Sequence, residues 1–170
     1  MPESIIAQGK FLKLVKNGRW EYAARVRASG VVAVVAMTHD RELVLTEQYR
    51  VPVGAVVIDL PAGLSGDIPG GESEALTVAA QRELREETGY SSQVWKPLYR
   101  APSSAGLTSE MVDYFQADNA RRTAAGGGVD GERITVHAIP LRSLRRWLRS
   151  RMAEGVMIDP KVYVALAFLK

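Results

Sequence analysis

No cysteine occurs among the 170 residues of the chain, which excludes disulfide staples and thiolate metal sites and fits a cytoplasmic protein. Nor is there a run of about 18 apolar residues, the length a membrane-crossing helix needs. The opening Met1-Pro2-Glu3-Ser4-Ile5-Ile6-Ala7 has no basic segment followed by an apolar one, so no secretory leader is expected. Histidine is scarce. His39 and His137 are the only two, and neither has a partner at metal-ligand spacing, which leaves both as structural or exposed. Charge of one sign barely prevails, at +3, too small an excess to mark a nucleic-acid protein by itself. Much of it sits between Arg142 and Arg151, where apolar residues recur at 141, 144, 147/148 and 152. That spacing is one buried helical stripe with the arginines as its solvated side, a contact with RNA or polyphosphate being the other reading. No repeat or linker divides the chain, and 46% hydrophobic residues suffice for one core, so residues 1–170 are expected to form a single domain.

What the chain does have is a dense knot of acids. Arg82-Glu83-Leu84-Arg85-Glu86-Glu87-Thr88-Gly89-Tyr90 packs three carboxylates into five positions of one expected helix. Glu83 lies three and four positions from Glu86 and Glu87, so all three crowd one face and repel by a few tenths of a kcal/mol per pair. Arg82 and Arg85 offset part of this. Hard divalent cations with oxygen ligands would offset much more, the plain alternative being a solvated charged face.

The surrounding pattern is strand, helix, strand, helix. Phe11 to Val15, an Asn17-Gly18 turn and Trp20 to Val26 read as a hairpin, since Asn-Gly favours the turn that reverses a strand. Val31 to Met37 and Glu42 to Gln48 form another. A helix is expected from about Glu74 to Thr88, with Ser73 as N-cap and Gly89 as C-terminal stop. Strands follow near 93 to 100 and 111 to 117, then a flexible segment from Arg121 to Gly131 around Gly126-Gly127-Gly128, a strand from Glu132 to Ile139, the arginine helix, and a helix from about Pro160.

Upstream of the acids stands Asp59-Leu60-Pro61-Ala62-Gly63, and Glu74 lies eight positions before Arg82. Together these residues resemble the Nudix box: Gly, a loop, Glu, seven residues, then Arg-Glu-apolar-x-Glu-Glu-x-Gly-apolar. From Glu74 to Tyr90 every defined position matches. The loop departs from the pattern, with ten residues between Gly63 and Glu74 where the family usually has five. A surface loop tolerates such an insertion because closure entropy grows slowly with length. Taking Glu72 as the first glutamate would instead put two extra residues in the helix and turn its face by about 200°. Gly66 competes with Gly63 for the turn of the box.

This resemblance implies the Nudix fold: α/β, a mixed β-sheet sandwiched between α-helices, with an N-terminal antiparallel hairpin at about residues 1–28 contributing to a homodimer. Glu47-Gln48-Tyr49-Arg50, Gly106-Leu107-Thr108-Ser109-Glu110 and Glu132-Arg133-Ile134-Thr135-Val136-His137 are similar to stretches of ADP-ribose and nucleoside-diphosphate-sugar pyrophosphatases. Ala105 stands where that subgroup commonly carries a proline. The implied activity is hydrolysis of the pyrophosphate bond of ADP-ribose or a related nucleoside-diphosphate sugar with Mg2+ or Mn2+, two or more ions per site. Glu83 and Glu87 would be metal ligands, Glu86 would ligate or orient them, and the backbone carbonyl of Ala62 would add an oxygen. Arg82 would fix a carboxylate, the alternative being an ordinary ion pair with Glu86. Glu132 is the expected general base, with Asp130 and Glu86 as contenders. Arg50 would hold a phosphate or close a strand-end salt bridge. Trp20 and Arg25 would meet the adenine, or Trp20 would simply pack, and Glu110 would contact the terminal sugar. Hydrolysis of dinucleoside polyphosphates or of the 5′-triphosphate of RNA is an alternative. A non-catalytic ADP-ribose sensor is another, against which the intact acid cluster speaks.

Overall fold

Val31-Val32-Ala33-Val34-Val35-Ala36-Met37 is apolar at every position, a pattern that asks for cover on both faces of a strand. The computed structural model, which describes residues 3–27, 30–66, 70, 73–129 and 131–169, gives it that cover. In chain order the strands and helices are β1 (Ser4–Gln8), β2 (Leu12–Asn17), β3 (Trp20–Arg25), β4 (Gly30–Thr38), β5 (Glu42–Arg50), β6 (Ala55–Asp59), β7 (Ala62–Ser65), α1 (Leu76–Thr88), β8 (Tyr90–Ser91), β9 (Val94–Pro102), β10 (Met111–Arg122), β11 (Thr135–Pro140), α2 (Leu141–Ala153), β12 (Met157–Ile158) and α3 (Pro160–Phe168). A mixed sheet runs β12-β6-β5-β4-β10-β8, with β11 on β5, β7 on β4 and β9 on β10. β10 is parallel to β4 from Val112 beside Val31 to Ala117 beside Ala36.

One face of β4, through Val32, Val34 and Ala36, packs on Ala79, Ala80 and Leu84 of α1. The other, through Ala33, Val35 and Met37, packs on Leu144 and Leu148 of α2 and Val162 and Ala165 of α3. Each fully buried leucine among them is worth about 1.5–3 kcal/mol. The sheet is thus sandwiched between helices, as the resemblance implied.

Several elements differ from expectation. The N-terminal hairpin is a three-stranded antiparallel sheet, because Ser4–Gln8 pairs with β2 as well. That sheet joins the body where the Ala23 N–H donates to the Leu107 carbonyl at 2.9 Å and the Ser109 N–H to the Ala23 carbonyl at 3.1 Å. Helix α1 starts at Leu76 with Ala75 as N-cap and no side-chain cap, rather than at Glu74 behind Ser73. The cause is local: the Glu74 carbonyl accepts from Ser65 Oγ at 2.9 Å and its carboxylate is held by Arg82 at 3.1 Å, so the chain stays off the helix until Ala75. Gly89 ends α1 in the left-handed region at φ 75°, as expected.

The segment around Gly126-Gly127-Gly128 was expected to be flexible, yet it docks on the end of α1. The Gly127 N–H donates to the Glu87 carbonyl at 2.8 Å and that of Gly128 to the Glu86 carbonyl at 3.1 Å, satisfying carbonyls that a helix end leaves open. Glycine is required at the contact, since a Cβ on Gly126 would lie 2.3 Å from the Thr88 backbone. In α2, Leu144 and Leu148 are buried and Arg142, Arg145, Arg146 and Arg149 face solvent. Arg151 turns inward instead, 2.9 Å from both oxygens of Glu47, which also meets His137 Nε2 at 2.8 Å. His137 is therefore structural, and His39 is exposed.

Candidate active site

The site is assembled from one short strand and one helix. β7 pairs antiparallel with the start of β4, Ala62 opposite Ala33 and Gly63 opposite Val32. Because the Val34 N–H donates to the Pro61 carbonyl, the alternation of the ladder turns the N–H and C=O of Ala62 away from β4. The N–H then donates to Glu87 Oε2 at 3.0 Å. Next in line, Gly63 has no side chain where the Glu83 carboxyl sits, and a Cβ there would fall 2.1 Å from Glu83 Cδ. Gly63 thus makes the close approach, while Gly66 supplies the left-handed turn at φ 78°. Glu72, the alternative first glutamate, lies outside the described residues, as does Asp130.

Arg82 organises the rest. Its Nε and one terminal nitrogen donate to the two oxygens of Glu74 at 3.1 Å each, and the other terminal nitrogen reaches Glu83 at 2.8 Å and Glu86 at 3.2 Å. It also donates to the Leu64 carbonyl at 2.8 Å, tying the helix to β7. These bonds hold the Glu74 carboxyl below its usual range, and the Arg82 guanidinium is bound more firmly to its proton for the same reason. A planar fork serving three carboxylates is a position lysine cannot fill. The simple ion pair with Glu86 is only one arm of it.

Glu87 stands in a different condition. It is 6% exposed, and burial pushes its pKa up from 4.5 to about 8, aided by the charges of Glu83 and Glu132 and opposed by the Ala62 N–H and by Arg50. A carboxylate this poorly solvated, with two acidic neighbours, is one that a cation would stabilise. Among the described residues, no three His, Cys, Asp or Glu side chains stand ready-grouped as a metal cage. Arg82 and the Ala62 N–H hold the carboxylates instead. The donor set nevertheless fits a hard divalent ion: carboxylate oxygens from Glu83, Glu86 and Glu87 and a backbone carbonyl turned to the same side of β7.

These residues line a cleft of about 1320 Å3, together with Arg50, Glu132, Arg25 and Glu110. Glu132 arrives there because the docked glycine segment carries it, its own N–H donating to the Val129 carbonyl at 3.0 Å. Arg25 and Glu110 are joined to each other at 2.6 Å, an ion pair the sequence reading did not foresee. Trp20 is 56% exposed and does not line the cleft. Phe11 lines it. Sequence reasoning also missed Asp59, Lys161 and Asp159, which line the same cleft. Asp59 and Lys161 are 102 positions apart, and no spacing rule connects them.

A glycine strand is thus laid against an acid-bearing helix, with Arg82 locking the two. Residues 26–155 match the NUDIX domain, and the chain belongs to the Nudix family. It is 28% identical to the methanol dehydrogenase activator of Bacillus methanolicus over 97% of this chain and 88% of that one. It is 30% identical to the GDP-mannose pyrophosphatase of Klebsiella pneumoniae, covering 85% and 72% of the two chains, and 30% identical to the ADP-sugar pyrophosphatase of Mus musculus, covering 95% and 82%. The fold superposes on the crystal structure of an ADP compounds hydrolase with a TM-score of 0.68 at 20% identity, over 88% of this chain and 81% of that one.

Proposed function

We infer that the protein hydrolyses the pyrophosphate bond of ADP-ribose or a related nucleoside-diphosphate sugar, releasing a nucleoside monophosphate and a sugar phosphate. The observation that carries this reading is one cleft holding Glu83, Glu86, Glu87 and Glu132 beside the cations Arg50 and Arg82. Relatives named GDP-mannose pyrophosphatase and ADP-sugar pyrophosphatase support it.

Glu83, Glu87, Glu86 and the Ala62 carbonyl would hold Mg2+ or Mn2+, two or more ions, which when bound neutralise the diphosphate and lower the pKa of a water. Arg82 keeps Glu83 and Glu86 oriented toward that task. Arg50 donates charge-assisted hydrogen bonds to a phosphate oxygen. Glu132, outside the helix and exposed, takes the proton of the attacking water, and Glu86 is the other candidate for that role. Arg25 and Glu110 meet the substrate beyond the phosphates. A homodimer through the N-terminal sheet is part of the same reading, supported by its exposed Ile5, Ile6, Phe11, Leu12 and Trp20; sedimentation at 18.6 kDa at micromolar concentration would remove it. A cytoplasmic location is supported by the absence of cysteine, and no described helix is long and apolar enough to cross a membrane.

The test is incubation with Mg2+ or Mn2+ and ADP-ribose, GDP-mannose, UDP-glucose or diadenosine tetraphosphate, with product identification. Release of a nucleoside monophosphate and a sugar phosphate from at least one nucleotide sugar is expected. Turnover of diadenosine tetraphosphate alone would move the protein to the polyphosphate class, and no turnover of any would favour the sensor.

A further inference from the structure

The cleft has a second charged wall, on the face of the sheet away from α1. Asp59, at the end of β6, holds Lys161 Nζ at 3.0 Å, and Lys161 also meets Asp159 at 2.9 Å. A cross-strand row, Tyr99, Tyr114, Ala33 and Ala62, runs from this wall to the strand under the acid-bearing helix. The two tyrosine rings are stacked at 4.7 Å. Both walls belong to one cleft.

We propose that Lys161 and Asp159, on a floor set by Asp59, form the subsite that holds the polyhydroxylated sugar end of the substrate, with Tyr114 as its flat side. This rests on the hydrolase reading above and names the part of the cleft that reads the sugar.

Three observations support it. First, Asp159 meets Lys161 through one oxygen only: its Oδ1 accepts from the Lys161 N–H that it caps and from Lys161 Nζ, at 2.9 Å each, so its second oxygen is open to a further donor. Surplus negative charge in a half-buried recess is costly unless hydrogen-bond donors answer it. A sugar hydroxyl both donates and accepts, so a carboxylate and an ammonium side by side can each engage one. Second, exposure is graded: the side chains of Asp59, Lys161 and Asp159 are 7%, 21% and 27% accessible. The floor is closed and the rim opens to the cleft. Third, the volume of about 1320 Å3 exceeds the ~300–1,000 Å3 of ordinary ligand sites, leaving room at both ends of a diphosphate. The end near Arg25 and Glu110 has the ring of Phe11, the flat apolar surface that suits a base, which puts Glu110, paired with Arg25, at the base end rather than at the terminal sugar where the resemblance had it. The end near Lys161 has paired charges, which suit hydroxyls.

Product inhibition separates the two ends. With Mg2+ present, ribose 5-phosphate, mannose 1-phosphate, AMP and GMP are compared as inhibitors of wild type, Lys161→Met and Asp159→Asn, with binding checked by calorimetry. Asparagine caps a helix as well as aspartate does, so the second variant keeps α3. Both substitutions should weaken the sugar phosphate tenfold or more while leaving the nucleoside monophosphate within twofold. Equal loss for both product types, or loss for the monophosphate alone, would overturn the assignment. On wild type, butyl phosphate, which has no hydroxyl, should inhibit at least tenfold more weakly than the sugar phosphates, and equal potency would sink the proposal without any variant. Failure of wild type to turn over any nucleotide sugar would count against the hydrolase reading itself, a result distinct from either.

Discussion

Replacing Glu87 by glutamine should make the metal-free protein more stable at alkaline pH and remove its activity. Glu87 is held at a pKa of about 8 against 4.5 for a free glutamate, so the folded chain binds this proton more tightly than the unfolded one. Its contribution is complete below pH 4.5 and is lost as the pH rises through 8. Each unit of displacement corresponds to about 1.4 kcal/mol. Over pH 6.5 to 9 the full loss is about 2 kcal/mol, and with water entry and side-chain relaxation reducing the burial penalty the metal-free wild type should lose roughly 1–2 kcal/mol, a fall of about 2–8 °C in Tm for a chain of this size. Glutamine can keep the bond from the Ala62 N–H and carries no charge, so Glu87→Gln should be flat over the same range. Asp59, raised by burial to about 6, titrates mostly below this window and equally in both proteins, so the difference between the curves isolates Glu87. Magnesium should reverse the order by binding the native wild type and raising its Tm, most at high pH, while leaving the variant unmoved. The assay is thermal or urea unfolding in EDTA and in Mg2+ at several pH values. Parallel pH profiles for the two proteins in EDTA would refute the argument that Glu87 is a destabilised, cation-seeking carboxylate.

Two further outcomes test the same geometry. Gly63→Ala places a methyl where Glu83 now lies, 2.2 Å and 2.4 Å from its carboxylate oxygens; because the displaced atoms are the end of a flexible side chain, stability should change by less than about 1 kcal/mol while kcat/KM falls by about a hundredfold or more, and activity near wild type would show that Glu83 is not held for use. Glu132→Gln should lower kcat more than it raises KM, as for a group acting in the transition state, and a change confined to KM would move the base to Glu86.

Much of the site could be read in one dimension because α1 is continuous: the spacing of Glu83, Glu86 and Glu87 is a helical spacing, and Gly89 is the stop its position demanded. The apolar runs bounded by polar turns also located β4, β5 and β10, although β10 runs on to Arg122. Short elements escaped. β7 has four residues, and its identity as a strand comes from pairing with β4, a tertiary fact. The glycine run from 126 to 128 looked mobile because glycine is conformationally free, yet the same absence of Cβ lets it seat on the end of α1. Helix onset was misplaced because Ser73 is a good cap in isolation, and the pull of Arg82 and Ser65 on Glu74 wins over that preference. Lys161 reads as an ordinary lysine at the start of a helix, and only the fold brings it to Asp59.

The distribution of charge explains how such a helix can exist before any ion arrives. Arg82, with 18% of its side chain accessible, spends its donors on Glu74 just ahead of α1, on Glu83 and Glu86 within it and on the Leu64 carbonyl, and so offsets the repulsion that a bare cluster would carry. Its fork does not extend to Glu87, which accepts from the Ala62 N–H instead. A neutral backbone donor stabilises a carboxylate less than a guanidinium does, which is why the burial of Glu87 is felt as a raised pKa while Glu74 is lowered. The fold therefore divides its acids into a group satisfied from within the chain and one left poorly satisfied, and the second stands in a cleft that also holds Arg25, Arg50 and Lys161. That imbalance is what an incoming cation would relieve.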